Sequence, residues 1–181
     1  MSDPVSSLGG ASFDGFAKIR EIGPLGMITL RAKNLKGLAK AVKAATGAKV
    51  PAMRRIEGQG DRACAWMSPD EYLLMLPYAD VSKALAEIGK ALQGEHHLAV
   101  DVSDARAVFR IEGVDADQVL RKLCPVDLDR LAPNEVRRTR AAQVACAFWH
   151  EGNGYTLVCF RSVAAYVMGL LSHSAQPGSE L

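Results

Sequence analysis

The segment ACAFWHEGNGYTLVCF, residues 145–160, decides the fold that the sequence predicts. Two apolar runs flank EGNG (residues 151–154), and Gly and Asn in this arrangement are typical of the tight turn of a β-hairpin. An earlier segment, ACAWMSPDEYLLML at residues 63–76, has the same form, with SPDE (residues 68–71) in the turn. The two segments therefore predict two antiparallel hairpins.

The two hairpins occupy equivalent places in an internal repeat. Ala63 aligns with Ala145 at an offset of 82 residues (145 − 63), and Tyr72 aligns with Tyr155 at 83 (155 − 72). A strand and a helix precede each hairpin and a helix follows it, because apolar residues recur there with the matching periods. A constant offset with a shared element order indicates a duplicated unit. The sequence predicts an α+β fold of two strand-helix-hairpin-helix halves with largely antiparallel sheets.

The segment boundaries follow from where this periodicity begins and ends. We expect an extended N-terminal arm over residues 1–25, because its glycines and prolines accompany little periodicity. A single α+β domain is expected over 26–172, made of two pseudo-repeats at about 26–94 and 98–172. A loose tail is expected over 173–181.

The predicted helices carry recognisable start and stop signals. Asn34, Asp80 and Ser162 are placed to cap the first, second and last helices. Gly47 is placed to end the first helix, and Pro125 ends the third. The apolar stripes predict buried faces that include Leu35, Leu38, Ala39, Val42, Val81, Leu85, Ile88, Leu92, Ala116, Val119, Leu120, Leu123, Val163, Tyr166, Val167, Leu170 and Leu171.

Three further segments alternate with the period of a strand. They are residues 27–31, 98–103 and 108–112. In the last of these, Phe109 and Ile111 face opposite Arg110 and Glu112. In the second, the alternation predicts an inward face of Leu98, Val100 and Val102.

Composition and charge exclude several classes of protein. Hydrophobic residues make up 49% of the chain and charged residues 23%, which is typical of a globular domain and excludes wholesale disorder. The 22 Lys and Arg against 20 Asp and Glu are too balanced for a nucleic-acid or anionic membrane partner. No stretch reaches the roughly 18 apolar residues of a membrane span, and no secretory signal is evident. We therefore expect a cytoplasmic protein with no nucleic-acid or membrane partner.

The residue types that carry chemistry stand at no recognisable spacing. Neither a metal-ligand pattern nor a nucleophile elbow, phosphate loop or dinucleotide motif occurs, so we predict no catalytic, cofactor-binding or metal-binding residue. The histidines, expected in solvated loops, are His96, His97, His150 and His173. The cysteines, expected as reduced core residues, are Cys64, Cys124, Cys146 and Cys159.

Two charged clusters leave alternatives open. The basic stretch of Arg130 and RRTR (residues 137–140) is typical of a solvated face, of a protein interface, or of a site for an anionic ligand such as a polyglutamate tail. If this stretch is a strand, Arg138 and Arg140 share one face and Arg137 takes the other. The carboxylates that stand in short pairs near turns, and are typical of turn and cap chemistry, are Asp101, Asp104, Asp127 and Asp129.

Five segments together resemble the gamma subunit family of heterotetrameric sarcosine oxidase, over roughly residues 20–172. They are AWMSPDEYLL (65–74), VDVSDAR (100–106), FRIEG (109–113), LRKLCPVDL (120–128) and CFRSVAAY (159–166). The resemblance implies a structural subunit with no cofactor of its own. It implies alpha, beta and delta partner subunits, with FAD, FMN and NAD held by alpha and beta and zinc by delta. Sarcosine is demethylated at a flavin with formation of hydrogen peroxide, and the methylene passes to tetrahydrofolate in the large subunit.

That family is similar in turn to the folate-binding domain of glycine-cleavage aminomethyltransferase. VDLDRLAPN (residues 126–134) is similar to the stretch that carries the catalytic aspartate there, and Asp127 falls on that aspartate. The downstream Gly-Gly-x-x-Asp-Asp pattern is replaced by FWHEGNG (residues 148–154). The resemblance leaves two hypotheses: a non-catalytic assembly subunit, or an autonomous folate-binding one-carbon transferase in which Asp127 is the acid/base group.

Overall fold

The structure is a computed structural model that describes residues 4–33, 35–59 and 61–181. It divides into two units. The central unit is Leu25–Ser103, and the composite unit combines the chain up to Pro24 with Asp104–Leu181. In chain order the described elements are β1 (Ser12–Asp14), β2 (Lys18–Ile22), β3 (Gly26–Arg31), α1 (Leu38–Thr46), β4 (Ile56–Gln59), β5 (Arg62–Ser68), β6 (Glu71–Leu76), α2 (Val81–Ala91), β7 (Leu98–Asp101), β8 (Arg106–Glu112), α3 (Ala116–Leu123), β9 (Val136–Ala141), β10 (Val144–Glu151), β11 (Gly154–Phe160) and α4 (Ala164–Ser174).

The central unit is an antiparallel sheet with helices packed on one face. Its strand order is β4-β5-β6-β3-β7, and each pair of neighbours is antiparallel. Apolar residues of α1 and α2 pack against the alternate residues of β3 and β6 that point toward them. The largest fully buried side chains of this core are Ile28, Leu30, Leu74, Leu76, Ile88 and Leu92.

The composite unit repeats this plan with one more strand. Its order is β1-β2-β8-β11-β10-β9, again antiparallel throughout. Residues of α3 and α4 pack on one face of the sheet. The largest fully buried side chains of this core are Ile19, Phe109, Ile111, Leu120 and Phe148.

The strand registers confirm the duplication that the sequence predicts. Ile28 lies opposite Leu74 in the central unit, and Phe109 lies opposite Leu157 in the composite unit. Each hairpin closes with two residues between its last partners, so the ladders can be aligned directly. Elements β3, α1, β4, β5, β6, α2 and β7 then correspond to β8, α3, β9, β10, β11, α4 and β2. The α+β class and the antiparallel sheets are confirmed, and each half has two strands beyond the predicted strand and hairpin: β4 and β7 in the central unit, β9 and β2 in the composite unit.

One alignment within the repeat is wrong by two residues. The matching Ala-Cys-Ala segments suggest that Cys64 corresponds to Cys146. In the ladders, Cys64 lies opposite Leu74, whereas the residue opposite the equivalent Leu157 is Phe148. Cys64 therefore corresponds to Phe148, because the register shift near Trp66 changes the offset within the hairpin.

The structure corrects the prediction of an extended N-terminal arm over residues 1–25. Residues 12–14 and 18–22 are strands β1 and β2, and β2 pairs with β8 inside the composite sheet. The inward positions of β2 are Ile19 and Glu21, which are 0% and 4% exposed. Because the buried position 21 is acidic, the segment lacks the apolar alternation that identifies a strand, and its sequence predicts an arm instead.

The Glu21 carboxylate orders the chain that precedes β1. It accepts hydrogen bonds from Ser6 Oγ at 2.8 Å, from the Ser7 N–H at 2.8 Å and from the Gly10 N–H at 2.9 Å. The Arg161 guanidinium donates to the Ser6 carbonyl at 3.2 Å. These donors satisfy the buried carboxylate, and the carboxylate in turn fixes the backbone that carries them.

The loose tail expected over residues 173–181 is also corrected. Helix α4 continues to Ser174, and Ala175 is fully buried. The Lys122 ammonium donates to the Ser174 carbonyl at 2.8 Å and to both the carbonyl and the hydroxyl of Ser179. The end of the chain is therefore tied to α3.

The helix termini only partly follow the predicted caps. Gly47 ends α1 in a left-handed conformation, as predicted, with φ of 73°. The predicted cap Asn34 lies outside the described residues. The N–H of Gly37, the residue before α1, donates instead to the Glu95 carboxylate at 2.9 Å. The carboxylate of Asp80 pairs with Arg62 and makes no cap bond to α2.

The start of α4 and the exposure of four side chains also differ from expectation. The predicted cap Ser162 lies within a 3₁₀ turn, and the residue before α4 is Val163, which makes no side-chain cap bond. Ala39 and Tyr166, assigned to buried faces, are exposed. On β7 the predicted inward residues Leu98 and Val100 are 52% and 41% exposed. Within the described ranges, none of the helices has the length and hydropathy that crossing a membrane requires.

We predict that Gly154→Ala destabilises the chain. A Cβ at Gly154 would lie 2.0 Å from the Ile111 carbonyl oxygen, within the backbone of the neighbouring strand. We expect the free energy of unfolding in urea to fall by about 1–3 kcal/mol, because overpacking a sheet displaces its backbone. Gly169→Ala is the matched control. A Cβ there meets nothing within 4 Å, so it should stabilise α4 by about 0.5–1 kcal/mol. Equal stabilities of the two variants would contradict the packing.

Candidate functional site

Asp127 lies in an exposed turn after α3. Its Oδ1 accepts the N–H of Asp129 at 3.2 Å, which is the contact of an Asx turn. The structure thus places Asp127 in turn chemistry, as the residue pattern predicts. The carboxylate is open to solvent.

The neighbouring Asp129 belongs to an ion-pair network with α3. The Arg121 guanidinium donates two hydrogen bonds to Asp129, at 2.6 and 3.2 Å, and one to Asp117 at 2.7 Å. The hydrogen bonds from Arg121 hold the pKa of Asp129 below its usual value, and those to Asp129 and Asp117 raise the pKa of Arg121. This network holds the turn against the helix, and its charges are committed to each other.

The second predicted carboxylate pair also serves the backbone. Oδ1 of Asp101 accepts from the N–H and the hydroxyl of Ser103, at 2.9 and 2.6 Å. The buried Ser103 hydroxyl in turn accepts the N–H of Met27 at 2.9 Å. Asp104 lies 4.0 Å from Arg161. The contacts of Asp101 confirm the prediction of turn and cap chemistry for that residue, whereas Asp104 takes part in an ion pair.

All four cysteines are free and buried, as predicted. Burial raises the pKa of the Cys64 thiol and raises that of Cys159 to about 12. The hydrogen bond that Cys146 shares with Cys124, together with burial, raises the pKa of Cys146, and the same bond lowers that of Cys124. The Cys64, Cys146 and Cys159 thiols, whose pKa values are raised, pack as small apolar groups.

The histidines are dispersed. His96, His150 and His173 are exposed, and Nδ1 of the half-buried His97 lies 2.8 Å from the Glu95 carbonyl. In the described part of the chain, no three His, Cys, Asp or Glu side chains are placed to hold a metal ion.

The composite unit has an open cleft of about 480 Å³ beside the start of α3. The rings of His150 and Tyr155 meet there edge to face, with centroids 5.2 Å apart. Burial and the nearby Asp117 raise the pKa of Tyr155. Asp127 lies outside the residues that line this cleft. The cavity and the residue that aligns with a catalytic aspartate are therefore not brought together.

The basic stretch forms β9, the edge of the composite sheet. Arg138 and Arg140 share one face and are exposed, while Arg137 is on the other face opposite the core residue Phe148, as predicted. Arg137 Nε lies 3.1 Å from the buried Glu135 carboxylate. Charged side chains along an edge strand prevent unwanted strand pairing, and they also suit a protein interface.

The fold is similar to that of solved proteins of two kinds. The glycine cleavage system aminomethyltransferase T from Bartonella henselae matches 87% of this chain and 46% of its own, with a TM-score of 0.62 and 12% identity. This likeness shows the fold. A chain of heterotetrameric sarcosine oxidase from Corynebacterium sp. U-96, solved with pyrrole 2-carboxylate, matches 91% of this chain and 87% of its own, with a TM-score of 0.80 and 27% identity.

The family follows from the sequence comparisons. The model of the sarcosine oxidase, gamma subunit family matches residues 33–176. Sarcosine oxidase subunit gamma from Arthrobacter sp. is 32% identical over 142 residues, covering 76% of this chain and 69% of that protein. The subunit gamma from Corynebacterium sp. strain P-1 is 31% identical over 145 residues, with the same coverage. The chain belongs to the sarcosine oxidase gamma subunit family.

We predict that the native chain resists thiol alkylation at pH 8. A pKa of about 12 for Cys159, against an ordinary value of 9.0, lowers its thiolate fraction at this pH about a thousandfold. We expect Cys159 to be labelled correspondingly slowly in the folded chain and at the rate of a free thiol in urea, as measured by mass spectrometry. Labelling of folded Cys159 at the free-thiol rate would contradict its burial.

Proposed function

We propose that this chain acts as the gamma subunit of a heterotetrameric sarcosine oxidase and contributes binding surfaces rather than catalytic groups. The observation that carries the proposal is the family match over residues 33–176. The likeness to a chain of the Corynebacterium oxidase supports it, because it extends over 91% of this chain and includes both units.

The local chemistry supports a structural role. Asp127 is exposed and its carboxylate is engaged in a turn. The nearby Asp129 is bound by Arg121, and the Cys64 and Cys159 thiols are buried with raised pKa values. These carboxylates and thiols are thus engaged in turns, ion pairs and the core.

The partners in this proposal are the alpha, beta and delta subunits. The cofactors FAD, FMN and NAD, and the tetrahydrofolate that receives the methylene of sarcosine, are held by those partners and none by this chain. The family membership supports this division of labour. The role of the chain is then to stabilise an assembly in which flavin chemistry occurs elsewhere.

We predict that removing this chain impairs assembly of the oxidase. Co-expression of the alpha, beta and delta subunits without it should lower the yield of the complex, measured by size-exclusion chromatography, and with it the total sarcosine-dependent peroxide production. Supplying the chain from a second plasmid should restore both quantities. Normal assembly and turnover in its absence would contradict the proposal.

We predict that Asp127→Asn leaves the oxidase active. The substitution keeps the shape of an exposed turn residue, so sarcosine turnover and transfer of the methylene to tetrahydrofolate should stay within about twofold of the wild type. A general acid/base group would be worth about 100-fold or more, so the measurement separates the hypotheses. Loss of that size in a fully assembled enzyme, or heat released when the isolated chain is titrated with tetrahydrofolate, would support the transferase hypothesis instead.

A further inference from the structure

The outer strands of the two described sheets differ in how they are protected. β1 has only three residues, β4 contains Gly58 at a φ of 142°, and β9 carries the exposed Arg138 and Arg140. Short length, irregular backbone and charge are the usual means by which proteins block pairing at a sheet edge. β7 has four residues, a regular backbone and no cationic side chain: beside Asp101, whose carboxylate bonds to Ser103, its exposed side chains are Leu98 and Val100.

The pairing of β7 with β3 determines which backbone groups of β7 point outward from the sheet. The Val102 N–H donates to the Met27 carbonyl at 2.8 Å, so Val102 and, by alternation, Val100 and Leu98 direct their backbone groups toward β3. The N–H and C=O groups of Ala99 and Asp101 therefore point away from β3. In the described part of the chain, β3 is the strand that pairs with β7, and its other side is open.

In the composite unit, the place that corresponds to the outer edge of β7 is occupied by a strand. Asp101 lies opposite Ile28, and Glu21 lies opposite Phe109, which is the equivalent of Ile28. Glu21 is thus the counterpart of Asp101. Its N–H points outward and donates to the Ala11 carbonyl at 2.8 Å, at the start of the antiparallel strand β1. In the composite unit the edge is covered by a strand.

The side chains on this edge differ in polarity between the two halves. The counterparts of Leu98 and Val100 are Lys18 and Arg20, which are exposed and pair with carboxylates. Leu98 and Val100 are 52% and 41% exposed. Apolar side chains where the covered half has cations indicate a surface that is buried by a partner.

We propose that the outer edge of β7 receives an extended antiparallel segment from another oxidase subunit. Apolar residues of this segment would cover Leu98 and Val100, while its backbone groups bond to Ala99 and Asp101. This inference rests on the proposed function.

The size of the edge decides between a different subunit and a second copy of this chain. Four residues of strand span about 13 Å, and a contact strip of this length buries far less than the about 1,600 Å² of a stable interface. Two β7 strands alone cannot hold a dimer, so the pairing forms part of a larger contact that the heteromeric assembly supplies.

Two variants test the pairing by different means. Ala99→Pro removes an outward N–H and leaves the bonds to β3 in place. The double variant Leu98→Lys with Val100→Arg gives β7 the charges of β2. Met53→Lys is the matched control, because Met53 is 70% exposed and lies outside the strands of the central sheet. We expect both β7 variants to lower recovery of the chain with tagged alpha subunit about tenfold, and the control to equal the wild type.

Amide hydrogen exchange in the assembled wild-type oxidase gives an independent readout. We expect the Ala99 and Asp101 amides to exchange as slowly as that of Glu21. If Ala99→Pro does not fold, as judged by circular dichroism, the double variant and the exchange rates decide.

Normal recovery of the double variant with fast exchange at Ala99 and Asp101 would overturn the inference and leave the proposed function intact. Failure of the wild-type chain to join the oxidase would overturn both. Pairing of β7 with a second copy of this chain would overturn the choice of partner.

Discussion

The pairing of β2 with β8 is the interaction on which the composite unit depends, because it brings the N-terminal segment into a sheet built from the second half of the chain. Arg20 donates to Glu112 at 2.8 Å across the two strands, and its hydrogen bond lowers the pKa of Glu112. The carboxylate is therefore ionised at neutral pH. The buried Glu21 then fixes the preceding residues, so one strand orders the chain on both of its sides.

The duplication allows the edges of the two sheets to be compared directly. In the central unit the corresponding place is taken by β7, which follows α2 in the chain, whereas in the composite unit it is taken by the N-terminal strand β2. Strands β1 and β2 complete the composite sheet, whereas β7 is the outermost strand of the described central sheet.

Local patterns were sufficient for the hairpins and for the helix stripes, because those features depend on neighbouring residues. They failed where distant residues decide. Glu95, 58 residues from Gly37, takes part in the cap of α1, and Glu21 occupies an inward strand position because N-terminal donors satisfy it. The alternation of Leu98, Val100 and Val102 identified a strand but predicted the wrong inward face, because Leu98 and Val100 are exposed and Ala99 packs against the core. The turn role of Asp127 was predictable, since short carboxylate pairs after proline favour turns; its exposure required the fold.

The most direct test of this account is the unfolding of a chain that lacks residues 1–22. Without β2, the backbone groups on that edge of β8 lose their strand partner, and the core around Phe109 loses Ile19. We expect the segment 104–181 to lose amide protection and cooperative unfolding, and a synthetic peptide of residues 1–24 to restore both. Cooperative unfolding of the shortened chain at the wild-type midpoint, with β8 still protected, would contradict it.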